Sequence, residues 1–315
     1  MTSRIVRYVA GHTGLLGSAL VRRWANEPSV QVLTAAHREL ELTDPRAVHA
    51  WLDRQRPDEV VVAAGRVGGI AANASEPVAF LYENLMIEAN LIRGAWQAGV
   101  RRLLNFGSSC MYPKRCPQPM HPDSLMTGTL ESTSEPYAIA KWAGLSLCAS
   151  YNRQYGTRFI TAIPCTLYGP GDSFDPAQAH VLSALIRKLH DAKERGDREV
   201  RLWGSGEGRR EFLYVDDVAA ACEILLETYD GSDPVNIGSG ESHPIRDLAA
   251  WVAEVVGFHG EIAWDASQPD GAPEKRLDSS VMRGLDWSPS TDLRTGLERT
   301  YRWFLEHEEQ PCVSS

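Results

Sequence analysis

Residues 5 to 24 read Ile5-Val-Arg-Tyr-Val-Ala-Gly-His-Thr-Gly-Leu-Leu-Gly-Ser-Ala-Leu-Val-Arg-Arg-Trp24, and they decide the fold. The pattern predicts a buried strand to Ala10, a tight glycine turn over Gly11–Gly17, and a helix over Ser18–Trp24. Glycines let the backbone turn sharply and approach a pyrophosphate, which then lies at the N-terminus of the helix. An ordinary strand-to-helix turn is the alternative, but the complete strand–turn–helix context favours dinucleotide binding.

Alternating segments extend this unit along the chain. Strand-like and helix-like segments alternate at least five times along the chain, which predicts a parallel, doubly wound α/β sheet of the Rossmann type. The composition shifts near residue 170. We therefore expect residues 1–170, with about 212–238 returning to the sheet, to form the dinucleotide-binding domain. Residues 171–211 and 239–315 are expected to form a smaller α/β substrate domain. The predicted strands are Ile5–Ala10, Val30–Thr34, Glu59–Ala64, Arg102–Phe106, Arg158–Ile163, Glu199–Trp203 and Asn236–Gly238.

Bulk composition narrows the possible partners and the compartment. The chain has 315 residues, is 43% hydrophobic and carries a net charge of −9. That charge argues against a nucleic acid or a membrane surface as partner. No stretch approaches the roughly 20 apolar residues of a membrane helix, and the first residues lack the apolar stretch of a signal peptide. The six cysteines form no Cys-x-x-Cys pair, so we expect reduced thiols, a cytoplasmic protein and no metal site.

The end of the second strand bears on the choice of dinucleotide. An NAD-preferring site usually has Asp or Glu about 20 residues beyond the glycines, where it binds the ribose 2′-hydroxyl. Here the strand is followed by Ala35-Ala36-His37-Arg38 instead. Arg38 and His37 suit the additional phosphate of NADP, although Arg38 as a solvated loop cation would look the same. We therefore expect NADP(H).

Tyr137 and Lys141 are the first candidates for chemistry. Their spacing of four places them on one helical face, about one turn apart. A nearby ammonium favours the phenolate, so Lys141 is expected to lower the pKa of Tyr137 towards neutrality. Ser108, which follows the strand ending at Phe106, offers a hydroxyl that can orient a substrate carbonyl. Taken alone, the Tyr-x-x-x-Lys pattern is common, and it favours an aromatic residue next to a cation on an ordinary helix over a catalytic pair.

Longer motifs carry a family resemblance. The chain resembles the extended short-chain dehydrogenase/reductases, and the matching residues are Gly11-x-x-Gly14-x-x-Gly17, Ser108, Tyr137-x-x-x-Lys141, Leu167-Tyr-Gly-Pro170, Arg210-Glu-Phe212 and Asp216-Asp217-Val218. Narrower blocks are similar to the GDP-L-fucose synthase family, whose members are 3,5-epimerase-4-reductases of GDP-4-keto-6-deoxy-mannose. These blocks are Arg66–Ile70, Gly107–Lys114, Glu135–Lys141, Ser150–Gly156 and Asp265–Gly271.

The resemblance implies residue roles. Ser108, Tyr137 and Lys141 would form the reductive triad, with Cys110 and His180 as base and acid of epimerisation. NADP(H) would contact Gly11, Gly14, Leu15, Leu16, Gly17, Arg38, Ala64, Lys141 and His180. The nucleotide-sugar would contact Ser109, Arg187, Lys188, Trp203, Arg210 and Lys275. The resemblance also implies a homodimer.

Alternatives remain for individual residues and for the activity. Without the family blocks, Cys110 would be interpreted as a small buried apolar residue and His180 as a polar group at a helix start; the family blocks favour chemistry for both. A reductase or an epimerase alone, acting on another nucleotide-linked 4-keto sugar such as a GDP-heptose, fits the same fold. So does a non-catalytic dinucleotide sensor, although such a protein has no need of the triad.

Three positions depart from the family pattern. Thr13 and Glu274 stand where arginine is common, and Arg38 is slightly shifted from the usual cofactor-phosphate arginine. Glu274, next to Lys275, is expected to weaken the positive site for the diphosphate.

Overall fold

The computed structural model describes residues 4–176, 178–267 and 272–307. Its strands are β1 Ile5–Ala10, β2 Val30–Leu33, β3 Glu59–Val62, β4 Arg102–Phe106, β5 Arg158–Pro164, β6 Thr166–Tyr168, β7 Glu199–Trp203, β8 Arg209–Arg210, β9 Phe212–Tyr214, β10 Val235–Ile237, β11 His243–Pro244, β12 Glu261–Asp265 and β13 Glu274–Lys275. Its helices are α1 Leu15–Trp24, α2 Pro45–Gln55, α3 Ile70–Ser75, α4 Pro77–Gln97, α5 Glu135–Tyr155, α6 Val181–Arg195, α7 Val215–Thr228, α8 Ile245–Val256, α9 Ser280–Gly284 and α10 Leu293–His307. Short 3-10 helices span Ser109–Met111 and Pro122–Ser124.

The largest sheet of the described chain is parallel. Its six strands follow the order β10-β5-β4-β3-β1-β2, and every neighbouring pair is parallel. β1 has β2 on one side and β3 on the other, so the direction of winding reverses between β1 and β3. In such sheets, ligands bind in the crevice beyond the carboxyl ends of the strands at this reversal. The predicted doubly wound α/β fold is confirmed.

The strands of this sheet are apolar because helices cover both of its faces. All four residues of β3 are buried, as expected for a parallel strand without a solvent face. Side chains alternate along β1. Val9 packs in one core cluster with Leu20 of α1, whereas Tyr8 packs in another with Trp51 of α2. The alternation places the carboxyl end of β1, directly before Gly11, between two filled cores.

A third core cluster lies in the later part of the chain. It is formed mainly by side chains of α6, α8 and α10, with Leu202 of β7 and Phe258 among them. β7 pairs in parallel with β12, and β8 lies between β11 and β13 in a small three-stranded sheet. Leu277, Met282 and Trp287 pack instead in the first cluster, with β10. The division into residues 1–170 plus 212–238 and the remainder stays a prediction.

Several predicted boundaries are corrected. The first helix begins at Leu15 rather than Ser18, because Gly14 is already its N-cap. The loop predicted over Gly65–Ile70 ends in α3, a short helix that begins at Ile70. Within the described residues, no helix is long and apolar enough to cross a membrane. Cys312 and residues 268–271 of the block that starts at Asp265 lie outside the described residues.

Candidate active site

The turn after β1 is shaped to receive a group against its backbone. Gly11 has φ +80°, and a Cβ there would lie 2.5 Å from Cα of Ala64. A Cβ on Gly17 would overlap the Gly11 carbonyl oxygen, whereas one on Gly14 would have that oxygen 3.6 Å away as its one neighbour within 4 Å among the described residues. Gly11 and Gly17 therefore permit the backbone to form the turn, and Gly14 leaves space on the outer side of the turn.

The N-terminus of α1 lies in the same turn. Gly14 caps it without a side-chain hydrogen bond, and its first turn contains no acidic residue. Leu15 and Leu16 pack against the first core cluster, which fixes the start of the helix. The first N–H groups of a helix lack intrahelical partners and attract anions. This arrangement fits a pyrophosphate, and Ala64 lies against it at the end of the neighbouring strand.

Arg38 lies in an exposed turn after β2. No hydrogen bond or ion pair joins it to another of the residues the structure describes. Its neighbour His37 pairs with Glu41 at 2.9 Å, and Arg66 is engaged by Glu76 and Glu83. Arg38 is therefore the cation near this strand end that remains available for a 2′-phosphate.

Ser108 begins the short 3-10 helix after β4. Its Oγ accepts a hydrogen bond from the Cys110 backbone N–H at 3.2 Å, which turns Cys110 back towards Ser108. Burial raises the pKa of the Cys110 thiol, but the Lys275 ammonium, the Ser108 and Ser134 hydroxyls and the Arg210 guanidinium outweigh it, so the pKa is lowered. A thiol in such surroundings is activated as a base or nucleophile.

Tyr137 and Lys141 lie on the first turns of α5, with the Lys141 Nζ 5.8 Å from the centre of the Tyr137 ring. Burial raises the pKa of Tyr137, and although Lys141 and a hydrogen bond with Ser108 lower it, the net direction is upwards. The direction expected from the sequence was therefore wrong, because spacing shows the cation but not the burial. A phenol with a raised pKa holds its proton and is suited to donate it.

Glu88 of α4 is a site residue that sequence reasoning missed. Its Oε1 lies 2.6 Å from the Lys141 Nζ, and the two side chains are only 1% and 5% exposed. The available signal was a carboxylate within an otherwise apolar part of α4, between Ile87 and Ala89.

His180 is the N-cap of α6. The segment before it meets the loop after β3, where the Gly69 N–H donates to the Gln178 carbonyl at 3.2 Å. Burial raises the pKa of the nearby Asp172, while the Ser183 hydroxyl and His180 act in the opposite direction. His180 is thus tied to the carboxyl edge of the sheet and lies within the electrostatic range of a carboxylate.

Arg210 and Lys275 are brought together by strand pairing. β8 and β13 run in parallel with these two residues in register, and both lower the pKa of Cys110. Glu274 does not share their side, because successive side chains of a strand point to opposite faces. It accepts a hydrogen bond from the Ser242 hydroxyl at 2.7 Å and lies 3.5 Å from Arg276.

The other predicted substrate residues are less closely grouped. Arg187 pairs with Asp191 at 2.9 Å, and Lys188 donates to the Arg201 carbonyl at 2.6 Å. Trp203, at the end of β7, is 73% exposed. Ser109 lies half-buried in the 3-10 helix beside Cys110. No group of His, Cys, Asp or Glu among the described residues is arranged to hold a metal ion.

The chain matches the model of a protein family and is similar to several known proteins. Residues 7–238 match the model of the NAD dependent epimerase/dehydratase family. The chain is 47% identical to GDP-L-fucose synthase 1 of Arabidopsis thaliana, over 95% of this chain and 93% of that protein. A GDP-L-fucose synthetase from Naegleria fowleri bound to NADP has a TM-score of 0.91 and 26% identity, covering 98% of this chain and 97% of that one. A GDP-6-OMe-4-keto-L-xylo-heptose reductase from C. jejuni has a TM-score of 0.88 and 32% identity, covering 98% and 99%.

Proposed function

The chain belongs to the NAD-dependent epimerase/dehydratase family, and we propose that within it the protein is an NADP(H)-dependent enzyme with GDP-L-fucose synthase activity. It epimerises C3 and C5 of GDP-4-keto-6-deoxy-mannose and reduces C4. The observation that carries this proposal is the position of Ser108. Its hydroxyl forms side-chain hydrogen bonds with both Cys110 and Tyr137, and these lower the pKa of each. A base for carbon acids and a proton donor for a carbonyl thus lie beside one another.

The residues of the glycine turn fit the cofactor. Gly11, Gly14 and Gly17, with the first backbone N–H groups at Leu15 and Leu16, would hold the pyrophosphate, and Ala64 would lie beside them. Arg38 would bind the 2′-phosphate, and Lys141 and His180 would approach the nicotinamide end. NADPH, when bound, supplies the hydride that reaches C4.

Cys110 and His180 would carry the epimerisation. The protons at C3 and C5 are acidic because they flank the C4 carbonyl and their removal gives an enolate. At each of the two carbons, the Cys110 thiolate would remove the proton from one face of the ring, and His180 would deliver a proton to the opposite face of the resulting enolate.

Reduction would follow at the same carbonyl. Tyr137 would donate its proton to the C4 oxygen when C4 is reduced, so that the ketone becomes an alcohol. Ser108 orients that oxygen, and Lys141 stabilises the phenolate that is left.

Positive groups beyond the ring would bind the nucleotide. Arg210 and Lys275, in register on β8 and β13, lie close enough to Cys110 to lower its pKa and would suit the diphosphate. The exposed Trp203 would offer a surface for the base, and Ser109, Arg187 and Lys188 would supply further contacts to the nucleotide-sugar. We assign residues 1–170 and 212–238 to the cofactor and residues 171–211 and 239–315 to the nucleotide-sugar.

A second activity is favoured by one comparison. The likeness to a heptose reductase suggests reduction alone, on a GDP-linked 4-keto heptose. The activated Cys110 favours the epimerase-reductase, because a reductase has no use for a base beside the ring. Incubation with NADPH and GDP-4-keto-6-deoxy-mannose, with identification of the product, tests the choice. GDP-L-fucose is expected; an unepimerised 6-deoxy hexose would support the reductase.

We further propose a cytoplasmic homodimer. The five cysteines of the described residues are free, as suits a reducing compartment. α4 and α5 expose Val78, Tyr82, Ile139 and Tyr155, and a second copy of the chain would cover them. Analytical ultracentrifugation of the wild type and Tyr82→Glu is expected to show a dimer that the variant weakens; a wild-type monomer would contradict the dimer.

A further inference from the structure

Glu88 and Lys141 form an ion pair inside the protein. The Lys141 Nζ lies 2.6 Å from Glu88 Oε1, and both side chains are almost fully buried. A carboxylate without a partner is costly to bury, and removing one member of such a pair leaves the other charge uncompensated. The pair therefore fixes the place of the Lys141 ammonium between α4 and α5.

The helix opposite Glu88 is shaped around its carboxylate. Gly144 lies three residues after Lys141 on the same face of α5, and a Cβ there would overlap Glu88 Oε2. The same Cβ would lie 2.9 Å from the Asn105 Nδ2. The space for the second carboxylate oxygen thus depends on a glycine within a helix, where glycine is otherwise unfavourable.

The charged and titratable groups around Tyr137 come from three elements. Lys141 lies on the same helix, Glu88 on α4 and Cys110 on the 3-10 helix. Burial raises the pKa of Tyr137 most, Lys141 lowers it, and Cys110 and Glu88 raise it. Glu88 itself faces Lys141 and the buried Cys148 thiol, whose pKa is raised by burial and also by Glu88.

We propose that Glu88 is a positioning residue, which anchors the Lys141 ammonium and offsets its charge so that Tyr137 stays in the proton-donating form that reduction needs. The inference rests on the proposed function, because only a reductase needs Tyr137 as a donor. Lys141 keeps its remaining N–H groups for the cofactor and the phenol, while one is committed to Glu88.

Glu88→Gln tests this role through a pH profile. The variant keeps the shape and an acceptor for Lys141 but removes the negative charge. Hydride transfer requires protonated Tyr137, so its rate falls as pH rises through the pKa of this group. We expect the fall to begin at lower pH in Glu88→Gln than in the wild type, measured by single-turnover loss of NADPH absorbance. Glu88→Asp, which keeps the charge, is expected to restore the wild-type alkaline limb, that is, the fall in rate at high pH.

Glu59→Gln is the matched control. Glu59 is also buried and pairs with Arg7 at 2.7 Å, but it lies at the start of β3, at the opposite end of the sheet from the site. This variant is expected to lose stability and keep the wild-type alkaline limb. An alkaline limb that does not move in Glu88→Gln would overturn the proposal, because a purely structural role changes the rate at all pH values alike.

A second readout needs no substrate. Ultraviolet difference titration of the phenolate, with Tyr137→Phe subtracted in each background, follows Tyr137 directly. Earlier ionisation is expected in Glu88→Gln, and unchanged ionisation contradicts the role. If Glu88→Gln does not fold, Gly144→Ala tests the position of the charge instead, because the added methyl group would overlap Glu88 Oε2 and move the carboxylate away from Lys141. Earlier ionisation of Tyr137 is expected in this variant too, and unchanged ionisation contradicts the role. A wild type that ionises as expected but reduces no 4-keto sugar would remove the proposed function without removing this electrostatic coupling.

Discussion

Lys275 lies close enough to Cys110 to lower the pKa of its thiol, although the two residues are far apart in the sequence. Its ammonium is the main group that lowers the pKa of the Cys110 thiol, against the burial that raises it. Arg210 acts in the same direction from the neighbouring strand, in register with Lys275. The residues proposed to bind a diphosphate therefore also activate the proposed base, which couples nucleotide recognition to proton abstraction.

Lys275→Met should raise the pKa of Cys110. The base is active as thiolate, so its activity rises with pH through this pKa, and the variant's rise should move to higher pH. Alkylation of Cys110 by iodoacetamide near neutral pH is expected to slow in proportion to the lost thiolate fraction, because the thiolate is the nucleophile. Lys114→Met, which removes a cation paired with Glu131, serves as control. Unchanged alkylation in Lys275→Met would show that Cys110 is activated by other groups.

Tyr137→Phe should remove the proton donor while leaving the glycine turn intact. Loss of general acid catalysis is expected to slow hydride transfer by about 10²- to 10⁴-fold, with little change in NADPH affinity. Single-turnover kinetics and fluorescence titration of NADPH measure the two effects separately. A decrease smaller than about tenfold would assign the donor role to another group.

Arg38→Glu should shift the preference from NADPH towards NADH. The introduced carboxylate repels the 2′-phosphate that the guanidinium is proposed to bind. The ratio of kcat/KM for the two cofactors measures the change, with Arg54→Glu, an exposed position on α2, as control. An unchanged ratio would place the phosphate contact outside Arg38.

Two glycine variants should separate binding from folding. In Gly17→Ala the Cβ overlaps the Gly11 carbonyl oxygen, so a stability loss of about 1–3 kcal/mol is expected, together with weaker NADPH binding. In Gly14→Ala the Cβ makes an ordinary van der Waals contact with that oxygen, at 3.6 Å, so NADPH affinity should fall while the melting temperature stays close to that of the wild type. Thermal melts and NADPH titration distinguish the two. Equal affinity in Gly14→Ala and wild type would mean that the pyrophosphate does not approach this face.

The strands of the large sheet could be predicted from the sequence because parallel strands are continuous apolar runs between polar turns. Ile5–Ala10 was predicted with the bounds of β1 for that reason. The two-residue strands β8 and β13 are too short for any periodicity, although they bring Arg210 and Lys275 together. Glu88 and the raised pKa of Tyr137 depend on burial and on contacts between α4 and α5, which spacing within one helix cannot show.

Deuterium exchange tests the central claim, that one site both enolises and reduces the sugar. Wild-type protein in D₂O without NADPH is expected to exchange the C3 and C5 protons of GDP-4-keto-6-deoxy-mannose, because enolisation needs no hydride. Cys110→Ser replaces the thiol with an alcohol that is far harder to deprotonate. It should lose this exchange and, given NADPH, still reduce C4 to the unepimerised 6-deoxy hexose. Wild-type protein that reduces the ketone but exchanges neither proton would contradict the account and leave a simple 4-reductase.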